Sequence, residues 1–421
     1  MSTFSSAAEK RGRFMYILEA ALEYFIALLV AGSFLATLTK ELGFSDSLTG
    51  ILSSVISLGC LFQLFSIFLR PKKNKGFIIV LSVVNQFLFM LLYVIPLLET
   101  KGSIKTVLFV VTIVGAYFVY NVVHPKKINW LMSMVEDFKR GEFTAVKEIV
   151  SLFSGMAFTF TMGAVTDYFK DRGEIKTAFI ISAVTIFSCM ALHTVTMLLT
   201  PSKDEKPDEK KKLLVNIKET FKNKNLMIIT GVFVLYYIAK GVCLPFYGSY
   251  AINELGLSLK TVSALAMVSS ISRIIASLFM GKYADKKSFA AMIEVCFVFL
   301  AVAFIFGALS GIGTFGKIMF TLYYVFHGIS QSGINSAFIN MVFDYVPNEK
   351  RADSLAICQA VSGVVGFVTT LFAGALLSYI QGIGNNIFGI DLYAQQLMSL
   401  IGAVFAVITI IYVRKIVIKN K

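Results

Sequence analysis

Residues 201–212 read PSKDEKPDEKKK, and they separate two long stretches of almost entirely apolar sequence. A run in which most side chains are charged cannot enter hydrocarbon, because each charge costs from about 2.5 kcal/mol upward there. The whole chain has 421 residues, of which 57% are hydrophobic and 15% are charged, and its mean hydropathy is +0.76. The composition therefore predicts an all-α integral membrane protein with two apolar halves.

Apolar runs of about 20 residues recur on both sides of this charged run, and a helix needs about that many to cross a roughly 30 Å hydrocarbon core. We expect about twelve transmembrane helices in two pseudo-symmetric six-helix bundles. The predicted domains are an N-terminal bundle at 1–200, a charged cytoplasmic linker at 201–225 and a C-terminal bundle at 226–421. The predicted spans lie near residues 14–38, 47–69, 76–98, 104–124, 144–166, 176–199, 226–250, 259–281, 289–309, 316–341, 353–380 and 391–413.

The net charge of +14 would suit a nucleic-acid-binding protein if the basic residues formed one patch. They lie instead in alternate loops, among them the segment 70–75 and the loop predicted after His124. Loops on one side carry about 28 Lys and Arg residues and those on the other side about 8, the asymmetry typical of cytoplasmic loops. We expect a multi-pass protein of the cytoplasmic (plasma) membrane, surrounded by lipid, with both termini in the cytoplasm and no nucleic-acid partner.

The two halves share an internal repeat. A shift of 211 residues superimposes Gly155 on Gly366 and Gly163 on Gly374, and a shift of 213 lays ELGFS at 41–45 on ELGLS at 254–258. Two nearly equal offsets at equivalent places indicate a duplication with the same orientation in both halves.

A short motif connects this pattern to a known family. Residues 281–288 read GKYADKKS, similar to the loop signature of the major facilitator superfamily, although Ser288 stands where the family has Gly. The corresponding first-half loop near 70–73 is basic but lacks the Gly and the Asp. Six spans, a charged linker and six spans in parallel repeat also resemble this family. The resemblance implies a secondary transporter that works by alternating access, with a cytoplasmic gate that includes Gly281, Asp285, Lys286, Arg140 and Arg351.

Charged residues deep inside spans usually face a cavity and carry function, and four of those in the predicted spans are candidates here. Glu19 and Glu23 are four residues apart and share one helical face. Glu23 lies about 13 Å deep, so we expect it to exchange protons with help from Glu19, although Glu19 is near enough to the surface to snorkel. Lys240 and Arg273 are expected to hold an anionic or polar substrate. Glu23 and Lys240 either form a structural ion pair or a pair that substrate or proton displaces.

Two spans also carry polar and aromatic side chains at helical spacing, which suits a ligand with hydroxyl or mixed groups. Such residues also join membrane helices through hydrogen bonds, so each has a packing alternative. The candidate substrate-binding residues on spans ten and four are Tyr324, His327, Gln331, Asn335, Tyr120 and Asn121.

Several signals of other functions fail. GIGTFGKI at 311–318 has phosphate-loop glycine spacing, but Ile318 replaces the Ser or Thr that binds magnesium. No metal-ligand spacing and no enzyme site are visible, so we expect no metal and no cofactor. We expect a monomer that carries a small-molecule substrate with protons. A multidrug or metabolite efflux pump and a sugar transporter remain alternatives of the same fold, and a non-transporting receptor or scaffold is the alternative of another class.

Overall fold

The computed structural model describes residues 6–62, 74–132, 134–135, 140–201, 222–344, 351–387 and 389–418. Nearly all of these residues are helical, and a hairpin of two-residue strands, β1 (Asn386–Ile387) and β2 (Ile390–Asp391), is a small departure from the all-α prediction. The α-helices of ten residues or more are α1 (Ser6–Leu29), α2 (Gly32–Glu41), α3 (Asp46–Phe62), α4 (Asn74–Val94), α5 (Gly102–Met132), α6 (Arg140–Asp171), α7 (Ile175–Leu199), α8 (Lys224–Cys243), α9 (Leu259–Lys286), α10 (Phe289–Ala308), α11 (Thr314–Phe343), α12 (Arg351–Gly382) and α13 (Ala394–Tyr412).

Within the described ranges, nine helices are long and apolar enough to cross a membrane, or up to ten if the bent pair α1 and α2 forms one span. The described part of α3 has 17 residues, fewer than the roughly 20 needed. The polar residues of α11 lower its mean hydropathy. The predicted multi-pass helical membrane fold is confirmed, and the count of twelve spans stays a prediction.

The chain forms two compact units. The first comprises Met1–Phe44, Phe62–Glu209 and Ser258–Ser263, and the second comprises Ser45–Leu61, Lys210–Leu257 and Ala264–Lys421. In the first unit α1 packs against α6 and α7, while α4 packs against α5 and α7. In the second unit α8 packs against α12 and α13, while α10 packs against α11 and α13. Although α3 precedes the linker in sequence, it belongs to the second unit.

The repeated glycines occupy equivalent places in the two units. A Cβ atom on Gly155 would lie 2.5 Å from the ring of Tyr24, and one on Gly366 would lie 2.9 Å from the ring of Tyr237. Tyr24 and Tyr237 are themselves 213 residues apart, the same offset as the ELGFS and ELGLS segments. In each unit a tyrosine of the equivalent helix, α1 or α8, thus packs against a glycine at the same point of the repeat, which supports the duplication.

The first predicted span is not continuous. It breaks between Leu29 and Gly32, and the two helices meet at a bend of 41°. A break leaves backbone carbonyls without helical donors, and the buried hydroxyl of Tyr93 donates to the Leu29 carbonyl at 2.6 Å. The interruption is therefore compensated inside the unit, and the sequence contained no proline to announce it.

Pro245 interrupts the regular α-helical hydrogen bonding at the end of α8. The α-helical run of α8 ends at Cys243, and a 3₁₀ turn, Leu244–Phe246, contains the proline. Because proline has no N–H, the carbonyl four residues earlier loses its helical partner. The Thr370 hydroxyl of α12 donates to that carbonyl, Gly241 O, at 2.9 Å.

The end of the fourth predicted span was wrong. Pro125 and the two lysines after it suggested a cytoplasmic loop, but α5 continues through Pro125 to Met132. Lys127, counted among the loop cations, is only 2% exposed. A proline inside a membrane helix is tolerated where its neighbours compensate for the freed backbone group, and the extra turns bring Lys127 next to α1.

Candidate functional site

The first unit contains a buried ionic cluster built from α1, α5 and α7. The Lys127 ammonium lies 2.7 Å from Oε1 of Glu19, and it also donates a hydrogen bond to Oε1 of Glu23. Glu19 is 1% exposed and Glu23 is 20% exposed. Because the two glutamates are one turn apart on α1, a single ammonium on the facing helix can bridge both.

His193 of α7 completes the cluster. Its Nε2 lies 2.9 Å from the same Glu19 oxygen that contacts Lys127, and the ring is fully buried. Within the described ranges Nδ1 of this ring has no hydrogen-bond partner. Snorkelling to the surface was one of the two alternatives for Glu19, but the structure buries this residue and provides two donors.

The charge of the cluster decides what it can do. Two carboxylates and one ammonium leave one surplus negative charge when His193 is neutral. Binding one proton would neutralise the cluster. This is favourable because burying a charge without a partner is costly. The carboxylates and the His193 ring could offer three metal-ligating atoms within 4.8 Å of one another, but the ammonium of Lys127 contacts both carboxylates and would repel a metal cation.

Sequence reasoning missed Lys127 and His193. Pro125 suggested that the helix ended before Lys127. The apolar residues Trp130 and Leu131, which follow Lys127 and are buried, continue the helical pattern. His193 was a lone histidine in an apolar span, a signal that could have been weighed as His327 was.

The second unit brings several predicted substrate residues together. The Tyr236 hydroxyl of α8 donates to Oε1 of Gln331 on α11 at 3.0 Å. The Lys240 ammonium lies 5.7 Å from the centroid of the Tyr237 ring. His327 stacks on Tyr323 with ring centroids 5.4 Å apart.

Two cations of this unit, Lys240 and Arg273, lie near that histidine. The positive charges of Lys240 and Arg273 both act electrostatically on His327, and Nε2 of His327 has no hydrogen-bond partner within the described ranges. Close helix packing explains the proximity, since a Cβ atom on Gly328 would lie 2.1 Å from the Ser269 carbonyl oxygen, one turn before Arg273. The half-buried Lys240, Arg273, His327 and Gln331 therefore form one donor-rich region.

The remaining substrate candidates lie in different surroundings. Tyr324 packs edge to face on Tyr323 in the same region, whereas Asn335 is exposed. Tyr120 belongs to the first unit, with its ring 4.8 Å from that of His124. Asn121 is buried and donates a hydrogen bond to the Tyr117 carbonyl of its own helix at 2.8 Å. This contact is a structural one within α5.

The predicted gate motif is more helical than expected. α9 extends to Lys286, so Gly281, Asp285 and Lys286 are exposed residues of its last turns and not of a loop. Ser288, at the position of the family's glycine, caps α10 by accepting a hydrogen bond from the Ala291 N–H at 3.1 Å. The side chains of Arg140 and Arg351 lie outside the described residues, as does the first-half loop at 63–73.

The two units use equivalent positions differently. Glu23 of α1 and Tyr236 of α8 are 213 residues apart, which is the repeat offset. Glu23 bonds to Lys127 of α5, and Tyr236 bonds to Gln331 of α11. The first unit thus places an ion pair where the second places a neutral hydrogen bond.

These features define a multi-pass membrane protein with internally repeated helical units and buried ionisable groups, as in secondary transporters. The family profile described as Major Facilitator Superfamily matches residues 14–315 and 229–419. The chain belongs to the major facilitator superfamily and is a secondary transporter.

Solved structures agree on the fold. The chain is similar to a point mutant of the nucleoside transporter NupG, with 15% identity, a TM-score of 0.74 and coverage of 96% of this chain and 99% of that one. It is similar to a bacterial homolog of the human lysosomal transporter Spinster, with 12% identity, a TM-score of 0.72 and 97% coverage of both chains. It also resembles a D-xylose–proton symporter, with 13% identity, a TM-score of 0.67 and coverage of 95% and 97%. No curated protein matches the sequence.

Proposed function

We propose that this protein is a proton-coupled transporter of a small polar or anionic solute, with the proton site in the first unit and the solute site in the second. The observation that carries the proposal is the bridging of Glu19 and Glu23 by one buried ammonium, Lys127. Binding a single proton is favourable for a buried cluster with one surplus negative charge, because it removes an unpaired charge from the protein interior. Glu23 is the carboxylate of the cluster that is partly exposed, so it is the proposed exchange point.

The proposed solute site consists of Lys240, Arg273, His327, Gln331 and Tyr324. Two cations and an amide favour a solute rich in hydrogen-bond acceptors, such as a carboxylate or a phosphate ester. The tyrosine rings around them add apolar surface for the rest of the solute. The proposed gate includes Gly281, Asp285, Lys286, Arg140 and Arg351. The protein is proposed to act as a monomer in the lipid of the cytoplasmic membrane, with both termini in the cytoplasm, as its loop charges favour.

The first experiment identifies the class of solute that the protein binds. The purified protein would be melted with organic anions, sugars, nucleosides, peptides and lipophilic cations at two pH values, since a ligand that binds the folded state raises its melting temperature. Stabilisation by anions supports the donor-rich site. Stabilisation by sugars or lipophilic cations alone would contradict the anionic assignment and favour sugar transport or efflux.

Coupling is then tested in proteoliposomes with the solute that stabilises the protein. We expect Glu23→Gln to abolish accumulation driven by a proton gradient while solute exchange across the membrane continues. The variant keeps the size of the side chain but removes the surplus charge that binds the proton. Glu99→Gln, an exposed glutamate in the loop before α5, is the control and should accumulate solute like wild type. Normal proton-driven accumulation by Glu23→Gln would refute the proposal.

A further inference from the structure

The two glutamates of the ionic cluster have unequal surroundings. Oε1 of Glu19 accepts hydrogen bonds from both Lys127 and His193, and the residue is almost completely buried. Glu23 accepts a hydrogen bond from Lys127 and is one-fifth exposed. The proton that neutralises the cluster can therefore bind to either Glu19 or Glu23. The two carboxylates differ in solvation and in the hydrogen-bond donors that they face.

His193 is oriented by this contact. An ionised carboxylate only accepts hydrogen bonds, so Nε2 of His193 must carry the hydrogen toward Glu19. Nδ1 is then a bare acceptor, and a proton placed on it would find no acceptor among the described residues. His193 therefore serves as a neutral donor and not as the proton-binding group.

If burial alone decided where the proton binds, the proton would bind to Glu19 and not to Glu23. Desolvation penalises the charged form of a carboxyl group, and Glu19 is the more buried of the two. A hydrogen bond donated to the charged form opposes this effect, and Nε2 of His193 donates its hydrogen to Glu19. The position of His193 thus offsets the burial of Glu19.

We propose that His193 is a positioning residue that keeps Glu19 ionised as the permanent counter-ion of Lys127, so that Glu23 alone takes the exchanged proton. The inference rests on the proposed proton-coupled function and assigns different tasks to the two carboxylates. Tyr16 of α1 and Tyr120 and His124 of α5 interact electrostatically with the cluster. Lys147 of α6 acts on His124 and lies over the Tyr16 ring. They remain unchanged in every variant below.

The test is an infrared pH titration of the full-length purified protein, which needs no solute. A protonated carboxyl group has its own carbonyl stretching band, and the Glu19→Gln/Glu23→Gln double variant serves as the spectral blank for all other acids. We expect one band from the cluster in wild type. It should vanish in Glu23→Gln, because that variant carries no surplus charge.

His193→Phe keeps a ring but removes the donor, and His193→Gln keeps an N–H donor. In His193→Phe the band should change frequency, because the proton moves to the more buried Glu19. Its midpoint should rise by up to about one pH unit, less than the full effect of one hydrogen bond to a charge, because Glu19 has the lower proton affinity in wild type. His193→Gln should keep the wild-type band. If the phenylalanine variant does not fold, His193→Leu provides a smaller donor-free side chain.

The outcomes separate the two proposals. A band that is absent from wild type, or that persists in Glu23→Gln, removes the proton site itself and with it the proposed function. A band that depends on Glu23 but keeps its frequency and midpoint in His193→Phe overturns only the role of His193. An equal change in His193→Gln and His193→Phe would also overturn it, since a structural disturbance and not the lost donor would then be the cause.

Discussion

The ammonium of Lys127 lies 2.7 Å from the carboxylate of Glu19, and both side chains are buried in the first unit. Attraction between opposite charges is strong where little water screens it, but both ions lose their hydration. Such a pair is weak evidence for added stability, and breaking it is expensive because one charge is left alone. Next to a second carboxylate and a histidine, this pair fits the proposed proton exchange better than a role in stability alone.

Lys127→Met should lower the stability of the protein strongly. The substitution keeps the apolar stem but leaves two carboxylates without their cation, at a cost of about 3–5 kcal/mol. The measurement is the melting temperature in detergent at neutral pH. Lys101→Met, an exposed lysine just before the same helix, is the control and should melt near wild type.

A second variant separates charge from packing. Lys127→Met combined with Glu19→Gln removes one positive and one negative charge and leaves only the partly exposed Glu23. We expect it to recover much of the lost melting temperature. A double variant no more stable than Lys127→Met would show that packing around the lysine stem, and not the unpaired charge, causes the loss.

Lys240→Gln should weaken the binding of anionic solutes at least tenfold. A hydrogen bond to a charged group contributes about 1.5–3 kcal/mol, and about 1.4 kcal/mol corresponds to a factor of ten in affinity. Affinity would be measured from the concentration dependence of the melting shift. Lys282→Gln, an exposed lysine on α9 in the same unit, should bind like wild type. Unchanged affinity in Lys240→Gln would remove this residue from the solute site.

Asp167→Ala should loosen the start of α9. Oδ1 of Asp167 accepts the Leu259 N–H at 2.9 Å, and Oδ2 accepts the Lys260 N–H at 2.6 Å. These are first-turn donors with no partner inside the helix, and losing such a cap costs about 1 kcal/mol.

Hydrogen exchange of the amides at 258–263 is the measurement for this cap. The exchange should be faster in Asp167→Ala. Asp171 is the exposed last residue of α6, the helix that also carries Asp167, and Asp171→Ala should leave the exchange unchanged. Equal protection in Asp167→Ala and wild type would show that the cap contributes nothing.

Gly50→Ala should destabilise the second unit by overpacking. A Cβ atom there would lie 2.1 Å from the ring of Phe246, which is completely buried, and extra atoms in a packed core cost about 1–3 kcal/mol. Gly76→Ala on α4 meets nothing within 4 Å and should be neutral or slightly stabilising. Melting temperatures of the two variants test this contrast, and equal values would mean that the Phe246 ring moves aside at little cost.

Much of the fold and part of the site were predictable. Apolar runs predicted the helices, and the repeat predicted equivalent helices in two units. The break between α1 and α2 was not predictable, because the Tyr93 hydroxyl that compensates for it comes from another helix. Lys127 was misplaced for a related reason, since two consecutive lysines after a proline are usually solvated.

The sequence by itself determined that the chain is a repeated helical membrane protein, because hydrocarbon accepts only long apolar helices and leaves the charges in loops. It also identified Glu19 and Glu23 as costly groups in need of a partner. Only the tertiary structure decided which partner they have, by placing Lys127 and His193 on the helices that face α1. The physical reason is that a helical period reports which face of a helix is polar, whereas the energy of a buried charge depends on atoms that are distant in sequence.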